Sequence, residues 1–227
     1  VAVLADKPTG TVNVVLDANG LPTYTIVEDV AWDHIPWSDA VAEVAACADA
    51  VCWGSLAQRA PGSRATIERF LDSVRPGALR ICDINLRAET LDRDLIEGTL
   101  ARAEVLKCND EELPRIADLL GIPAGEDTER LRSLMARYEI AVAALTRGAE
   151  GSVLLRGDEV DVHPGYRVRV VDTVGAGDAF TAELAAGLLR GRPLADVHER
   201  ANRRAAAVCA CSGGTPELGP EPHVDDV

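Results

Sequence analysis

From Ser38 onward the chain alternates short apolar runs with longer segments of helical period, and this alternation restricts the fold more than any other feature. The runs DAVCWGS, LRICDIN, EVLKCN and IAVAALT come first, followed by SVLLR, EVDVHP and RVRVVD. Helical patterns cover about 39–48, 63–74, 92–102, 110–120, 127–137, 178–190 and 194–210. Strands that alternate with helices pair in parallel, and strands that are apolar throughout are covered on both faces. The expectation is an α/β fold with a mainly parallel central sheet flanked by helices. SVLLR and EVDVHP, separated by Gly157-Asp158, add a hairpin to that sheet. Near the start, the β-branched runs TVNVVL and TYTIV flank Asn19-Gly20 and predict another hairpin.

With 47% apolar residues in 227, the chain can bury a full core as one domain. Its formal net charge is -14, and no dense Lys/Arg cluster offsets it locally, which argues against a nucleic-acid partner. No apolar run approaches the roughly 20 residues that span a bilayer, and VAVLADKPTG has neither a basic region nor a cleavage site. The expectation is a cytoplasmic protein with no membrane partner. Six cysteines (47, 52, 82, 108, 209 and 211) lie mostly within apolar runs without a CxxC pair, and are expected to be buried and reduced. The chain opens at Val1 and enters a strand-like stretch almost at once, which reads as an interior beginning.

In open α/β sheets ligands bind beyond the carboxyl ends of the strands. After RVRVVD, the stretch DTVGAGDAF places Gly175 and Gly177 in a turn and Asp178 at the opening of a helix. Backbone donors at a helix N-terminus make an anion site. A dinucleotide fingerprint would need glycine where Phe180 stands, and no GK[ST] appears for a Walker loop. Two readings remain: a turn with Asp178 as helix cap, or a phosphate cradle with a carboxylate beside it. Phosphoryl transfer to an alcohol needs both a cradle and a base.

The segment LKCNDEELPRIADLLG supports a capping box from Asn109 to Glu112, with Pro114 in the first turn, or a Glu112 acting through water on Mg²⁺. ICDINLRA puts Asp83, Asn85 and Arg87 at alternate positions, hence on one side as a strand runs out. Asp83 and Asn85 are candidates to meet substrate, and Arg87 to neutralise a phosphoryl group; a solvated loop with a salt bridge is the alternative. TRGAEGS supplies Thr146, Arg147, Gly148 and Gly151, either an αL turn or a close approach for a nucleotide. Asn202 lies on a helix with small residues Ala201, Ala205 and Ala206, either as a surface residue or beside a flat ring. His34, His163, His198 and His223 share no metal-ligand spacing.

Taken in order, DINLR, KCNDEE, TRGAEG, DTVGAGD and the Asn202 helix resemble the ribokinase (PfkB) family of carbohydrate kinases. PTGTV, EDVAWD and GSLAQR resemble bacterial fructokinases within it, and the match runs over essentially all 227 residues. The resemblance implies one ribokinase-like kinase domain, N-terminally incomplete, with residues 9–31 part of a small β lid and 32–227 the α/β core. It implies an ATP-dependent phosphotransferase that moves the γ-phosphoryl group to a sugar hydroxyl, fructose first. Another acceptor (2-keto-3-deoxygluconate, ribose or a nucleoside) or a truncated non-catalytic sugar- or nucleotide-binding relative are the alternatives.

By the same resemblance Asp178 is the base, and Gly175, Ala176 and Gly177 form the anion hole. Thr146, Arg147, Gly148, Gly151, Gly177 and Asn202 would contact ATP, while Asn109 and Glu112 would serve phosphate and Mg²⁺. Asp172 with the Val174 carbonyl matches a monovalent cation (K⁺) site. The lid would close on the sugar and pair between subunits as a homodimer. The family's sugar-binding aspartate and Gly-Gly-x-x-x-Asn element have no counterpart before KPTG, so few sugar contacts are expected in this chain.

Overall fold

A computed structural model describes residues 2–16, 22–87 and 92–218. Strands β1 (Val12–Leu16) and β2 (Pro22–Ile26) pair antiparallel as a separate small sheet. The Asn19-Gly20 turn expected between them lies outside the described residues. The core then runs α1 (Asp39–Cys47), β3 (Ala50–Trp53), α2 (Pro61–Ser73), β4 (Leu79–Asp83), α3 (Arg93–Leu100), β5 (Val105–Asn109), α4 (Glu112–Leu120), α5 (Asp127–Tyr138) and β6 (Val142–Thr146). It ends with β7 (Ser152–Arg156), β8 (Glu159–His163), α6 (Ala176–Leu189) and α7 (Leu194–Cys209).

The six strands lie in the order β3-β4-β5-β6-β7-β8, parallel from β3 to β6 and antiparallel thereafter. Local chemistry sets the helix starts. The Ser38 hydroxyl accepts from the Val41 N–H (3.3 Å), the Asp92 carboxylate from Leu95 (2.8 Å), and Pro61 opens α2 where its missing N–H costs nothing.

Strand parity divides the interior into two cores. On one face Leu106, Cys108, Ala143 and Leu145 pack with Ile96, Leu113, Ile116, Leu131 and Leu134 of the crossover helices. On the other, Ile81, Val105, Val142, Ala144 and Leu154 pack with Phe180 and Leu184 of α6 and Val197 and Ala201 of α7. Parallel strands that advance in one direction by right-handed crossovers put their helices on a single face, which leaves the second face for α6 and α7. Those two helices pack closely because a Cβ on Gly187 would already stand 2.7 Å from Val197. The same parity sends Asp83 and Lys107, paired neighbours on β4 and β5, toward α6.

Two expectations fail. RVRVVD is not a strand: Val170 and Val171 are exposed, and the N–H groups of Val171 and Asp172 donate to the Cys209 carbonyl at 2.8 and 3.3 Å. The physical reason is topological, since β8 is an edge of the sheet while α6 lies over β4, and the connection must cross the sheet rather than extend it. Cys82 and Cys108 are buried as expected, but Cys47 and Cys52 are exposed and Cys209 and Cys211 half-buried. Cys52 lies on edge strand β3, whose α6-side face borders a cleft instead of a helix.

The small sheet is tied to the core by a buried ion pair. Asp33 accepts two hydrogen bonds from Arg59, both 2.8 Å, and Arg59 also donates to the Val27 carbonyl (2.7 Å) while stacking over Trp32 at 4.1 Å.

Candidate active site

Beyond the carboxyl ends of the parallel strands a cleft of about 480 Å³ is lined by Trp32, Gly54, Asp83, Asn85, Asp178 and Thr181 among others. A second cleft of about 480 Å³ is lined by Gly175, Asp178, Glu183, Arg204, Gly214 and Thr215 among others. Asp178 belongs to both.

The glycine loop owes its shape to Gly175, the residue before α6, at φ 80. A Cβ there would collide with the Gly214 carbonyl, so no other residue fits. The helix therefore starts at Ala176, two residues before the sequence pattern placed it. Ala176 donates to the Thr173 carbonyl (3.3 Å) and Ala179 to Gly175 (2.9 Å), whereas the N–H groups of Gly177 and Asp178 lack an intrahelical acceptor. Together with the positive end of the α6 dipole they present the kind of donors that an anion site requires.

The capping reading of Asp178 is not realised. Asp178 is the third residue of the helix, it is exposed, and its carboxylate accepts no hydrogen bond among the described residues. A cap would spend that carboxylate on the helix's own amides; here it faces two clefts.

Asp83 is buried at the wall of the first cleft, with Lys107 Nζ 3.0 Å from one carboxylate oxygen and Thr181 Oγ1 2.7 Å from the other. Lys107 escaped the sequence reading, although its signal was available: an ammonium inside EVLKCN, a run apolar enough to be covered on both faces. Asp83, Asn85 and Arg87 do not follow a regular strand alternation. Asn85 has φ 41, which breaks the strand alternation; it lines the cleft with Asp83, while Arg87 is exposed and donates to the Leu86 carbonyl at 3.1 Å.

At the end of β5, Asn109 Oδ1 accepts from the N–H groups of Glu111 (3.0 Å) and Glu112 (2.8 Å), and Glu112 accepts in return from Asn109 (2.9 Å). The other Glu112 oxygen accepts from Leu86 (2.8 Å). Burial pushes the Glu112 carboxyl up against these two amide donors. Each oxygen accepts from one backbone amide and keeps a further lone pair, which leaves room for a contact to Mg²⁺ through water, while among the described residues no group of three His, Cys, Asp or Glu could hold a metal by itself. Asp172 is similar. The N–H of Val174 (3.0 Å) and that of Gly213 (3.1 Å) hold its carboxyl below the usual range and make it a clasp between the loop entrance and the turn after α7.

Thr146 ends β6 beside β5, its carbonyl accepting from Asp110 (3.0 Å). Arg147 donates its N–H to the Gly151 carbonyl (2.8 Å) around a 3-10 turn, Gly148–Glu150. Gly151 has φ 80, and a Cβ there would collide with the His163 carbonyl. Gly151→Ala is expected to lower stability by about 1–3 kcal/mol from backbone strain, with the collision adding to it, as a shifted midpoint in urea unfolding would show.

Asn202 is buried, not at the surface. Ser152 Oγ donates to its Oδ1 (2.9 Å), and its amide donates to the His198 carbonyl (2.9 Å). His198, fully buried, lies between Ser152 (2.7 Å) and Asp161 (2.6 Å). The histidine passed over for lack of metal spacing is thus the centre of a polar network that holds α7 to β7 and β8.

Known proteins resemble this chain in sequence and in fold. A Klebsiella pneumoniae fructokinase is 34% identical over 192 residues, 81% of this chain and 60% of that protein. A solved sugar kinase of Pyrococcus horikoshii in complex with ATP is 26% identical, with TM-score 0.77, over 92% of this chain and 67% of the other. A Xylella fastidiosa fructokinase with bound ATP, 18% identical, shares the fold at TM-score 0.77 over 93% of this chain and 70% of the other. The chain spans little more than half the length of the curated Pyrococcus relative (56%). The pfkB family carbohydrate kinase description matches residues 1–219, and the chain belongs to that family.

Proposed function

We propose that this chain carries the nucleotide-binding and catalytic part of an ATP-dependent sugar kinase whose acceptor is fructose. The observation that supports it most is Asp178: an exposed carboxylate, accepting no hydrogen bond among the described residues, at a helix N-terminus whose first amides have no intrahelical acceptor and at the junction of two clefts. In this reading the acceptor hydroxyl lies in the cleft with Asp83, Asn85 and Asp178, and the γ-phosphate meets the loop at Gly175, Ala176 and Gly177.

The hydroxyl oxygen attacks the γ-phosphorus while Asp178 takes its proton, and the bond to the β-bridging oxygen breaks with its electron pair leaving on ADP. Fixed backbone donors aimed at the charge that develops need no reorganisation during transfer. The Thr146–Gly151 turn and the Asn109 cap flank the nucleotide side of the same sheet edge. The β1–β2 sheet, with Val12 exposed, serves as lid and as the pairing surface of a homodimer. Fructose is favoured by the similarity to the Klebsiella fructokinase.

An ADP-release assay with ATP, Mg²⁺ and a panel of fructose, ribose, 2-keto-3-deoxygluconate and a nucleoside tests this. Turnover is expected to be highest with fructose, with one sugar phosphate formed per ADP. Turnover with another acceptor alone would reassign the substrate. Binding of ATP without phosphorylation of any acceptor would make the chain a binding protein.

A further inference from the structure

We propose that Lys107 is a catalytic residue of this site, its ammonium meeting the transferring phosphoryl group at the Gly175–Gly177 loop; the proposal rests on the kinase reading above. Lys107 lies on β5 with its side chain 9% exposed and points toward α6 because it shares parity with Val105. Its Nζ is 3.1 Å from the place where a Cβ on Gly177 would stand, so the ammonium lies against the first turn of α6. That position is electrostatically costly for a cation, since the positive end of the helix dipole is there.

A purely structural role does not account for the placement. Burying an ammonium costs several kcal/mol before pairing, and a buried ion pair is commonly matched or exceeded in stability by apolar residues of similar volume. The ammonium has three donors, and Asp83 at 3.0 Å is the one hydrogen-bond partner among the described residues. Asp83 is in turn steadied by Thr181, whose hydroxyl lies 2.7 Å from it and 3.0 Å from the Gly177 carbonyl. The remaining donors of Lys107 are thus held against Gly177 in the first turn of α6, the turn whose leading amides have no intrahelical acceptor. A phosphoryl group in a loose transition state spreads negative charge over three oxygens, and it would supply the anion that the helix end and the ammonium together lack. Lys107 donates hydrogen bonds and charge only; the proton of the acceptor goes to Asp178.

Lys107→Met alone leaves Asp83 buried without its counter-ion, so the test compares Asp83→Asn with the double variant Asp83→Asn/Lys107→Met, in which no buried charge is stranded. Circular dichroism establishes that both are folded. The double variant is expected to show kcat about 100-fold or more below that of Asp83→Asn, the size of losing one donor to developing charge. ADP affinity, read by thermal shift, is expected to be equal in the two, because ADP lacks the group that Lys107 meets. Lys107→Arg is expected to retain more activity than the double variant. Equal kcat in Asp83→Asn and the double variant, or a fall in ADP affinity parallel to kcat, would overturn the assignment. A wild type that binds ADP but phosphorylates no acceptor would overturn the kinase reading and this proposal with it, whereas an active wild type with the first pattern overturns this proposal alone.

Discussion

Asp178→Asn is expected to lower kcat by about 10²–10⁴-fold, the usual contribution of a positioned general base, with little change in KM for ATP or sugar. The substitution keeps the shape and polarity of the side chain and removes its capacity to take a proton. It should cost little stability, because the carboxylate accepts no hydrogen bond among the described residues and surface changes of this kind stay within about 0.5 kcal/mol. The helix N-terminus loses a favourable charge worth about 0.3–1 kcal/mol at most. Steady-state kinetics beside a thermal melt separate the two effects. An Asp178→Asn enzyme with wild-type kcat would remove Asp178 from the chemistry.

The largest stability effect is expected from Asp33→Ala. Asp33 and Arg59 have side chains 5% and 8% exposed, joined by two hydrogen bonds of 2.8 Å, and the Val30 N–H donates to the same carboxylate at 3.1 Å. Removing Asp33 strips the buried guanidinium of this counter-charge, a change that typically costs about 3–5 kcal/mol. Trp32, stacked on Arg59, lines the cleft proposed for the acceptor, so KM for sugar should rise more than kcat falls.

The pH dependence has a definite sign. Hydrogen bonds from Arg59 hold the Asp33 carboxyl below its ordinary value of 3.8, against the opposing effect of burial. Its contribution is therefore fully present above that value and is lost as pH falls through the lowered one. Urea unfolding of wild type and Asp33→Ala at neutral and acidic pH should show a gap that narrows in acid; a gap of under about 1 kcal/mol at neutral pH would mean that the pair behaves as an exposed one.

Most helices and strands were legible where their period was sustained. α5 and α7 fall within a residue of the expected bounds, and the β7–β8 hairpin turns at Gly157-Asp158 as the dipeptide implied. RVRVVD failed under the same rule, because alternation shows that a segment can join a sheet and says nothing of whether a ladder edge is within reach. The Asn109–Glu112 cap was legible for the opposite reason: its partners lie three residues apart, within one turn. The second commitment of Glu112, to Leu86, comes from 26 residues away and could not be read locally.

The sequence by itself determined the α/β alternation, the glycine loop at the mouth of α6 and the presence of a carboxylate within it, all of which depend on neighbours a few residues apart. Only the tertiary structure set aside the capping reading of Asp178, because that turned on Gly175 fitting beneath Gly214 and on two clefts meeting at the third residue of the helix. It alone placed Lys107 against Gly177, since strand parity becomes direction only when a sheet has its register and a helix lies over it.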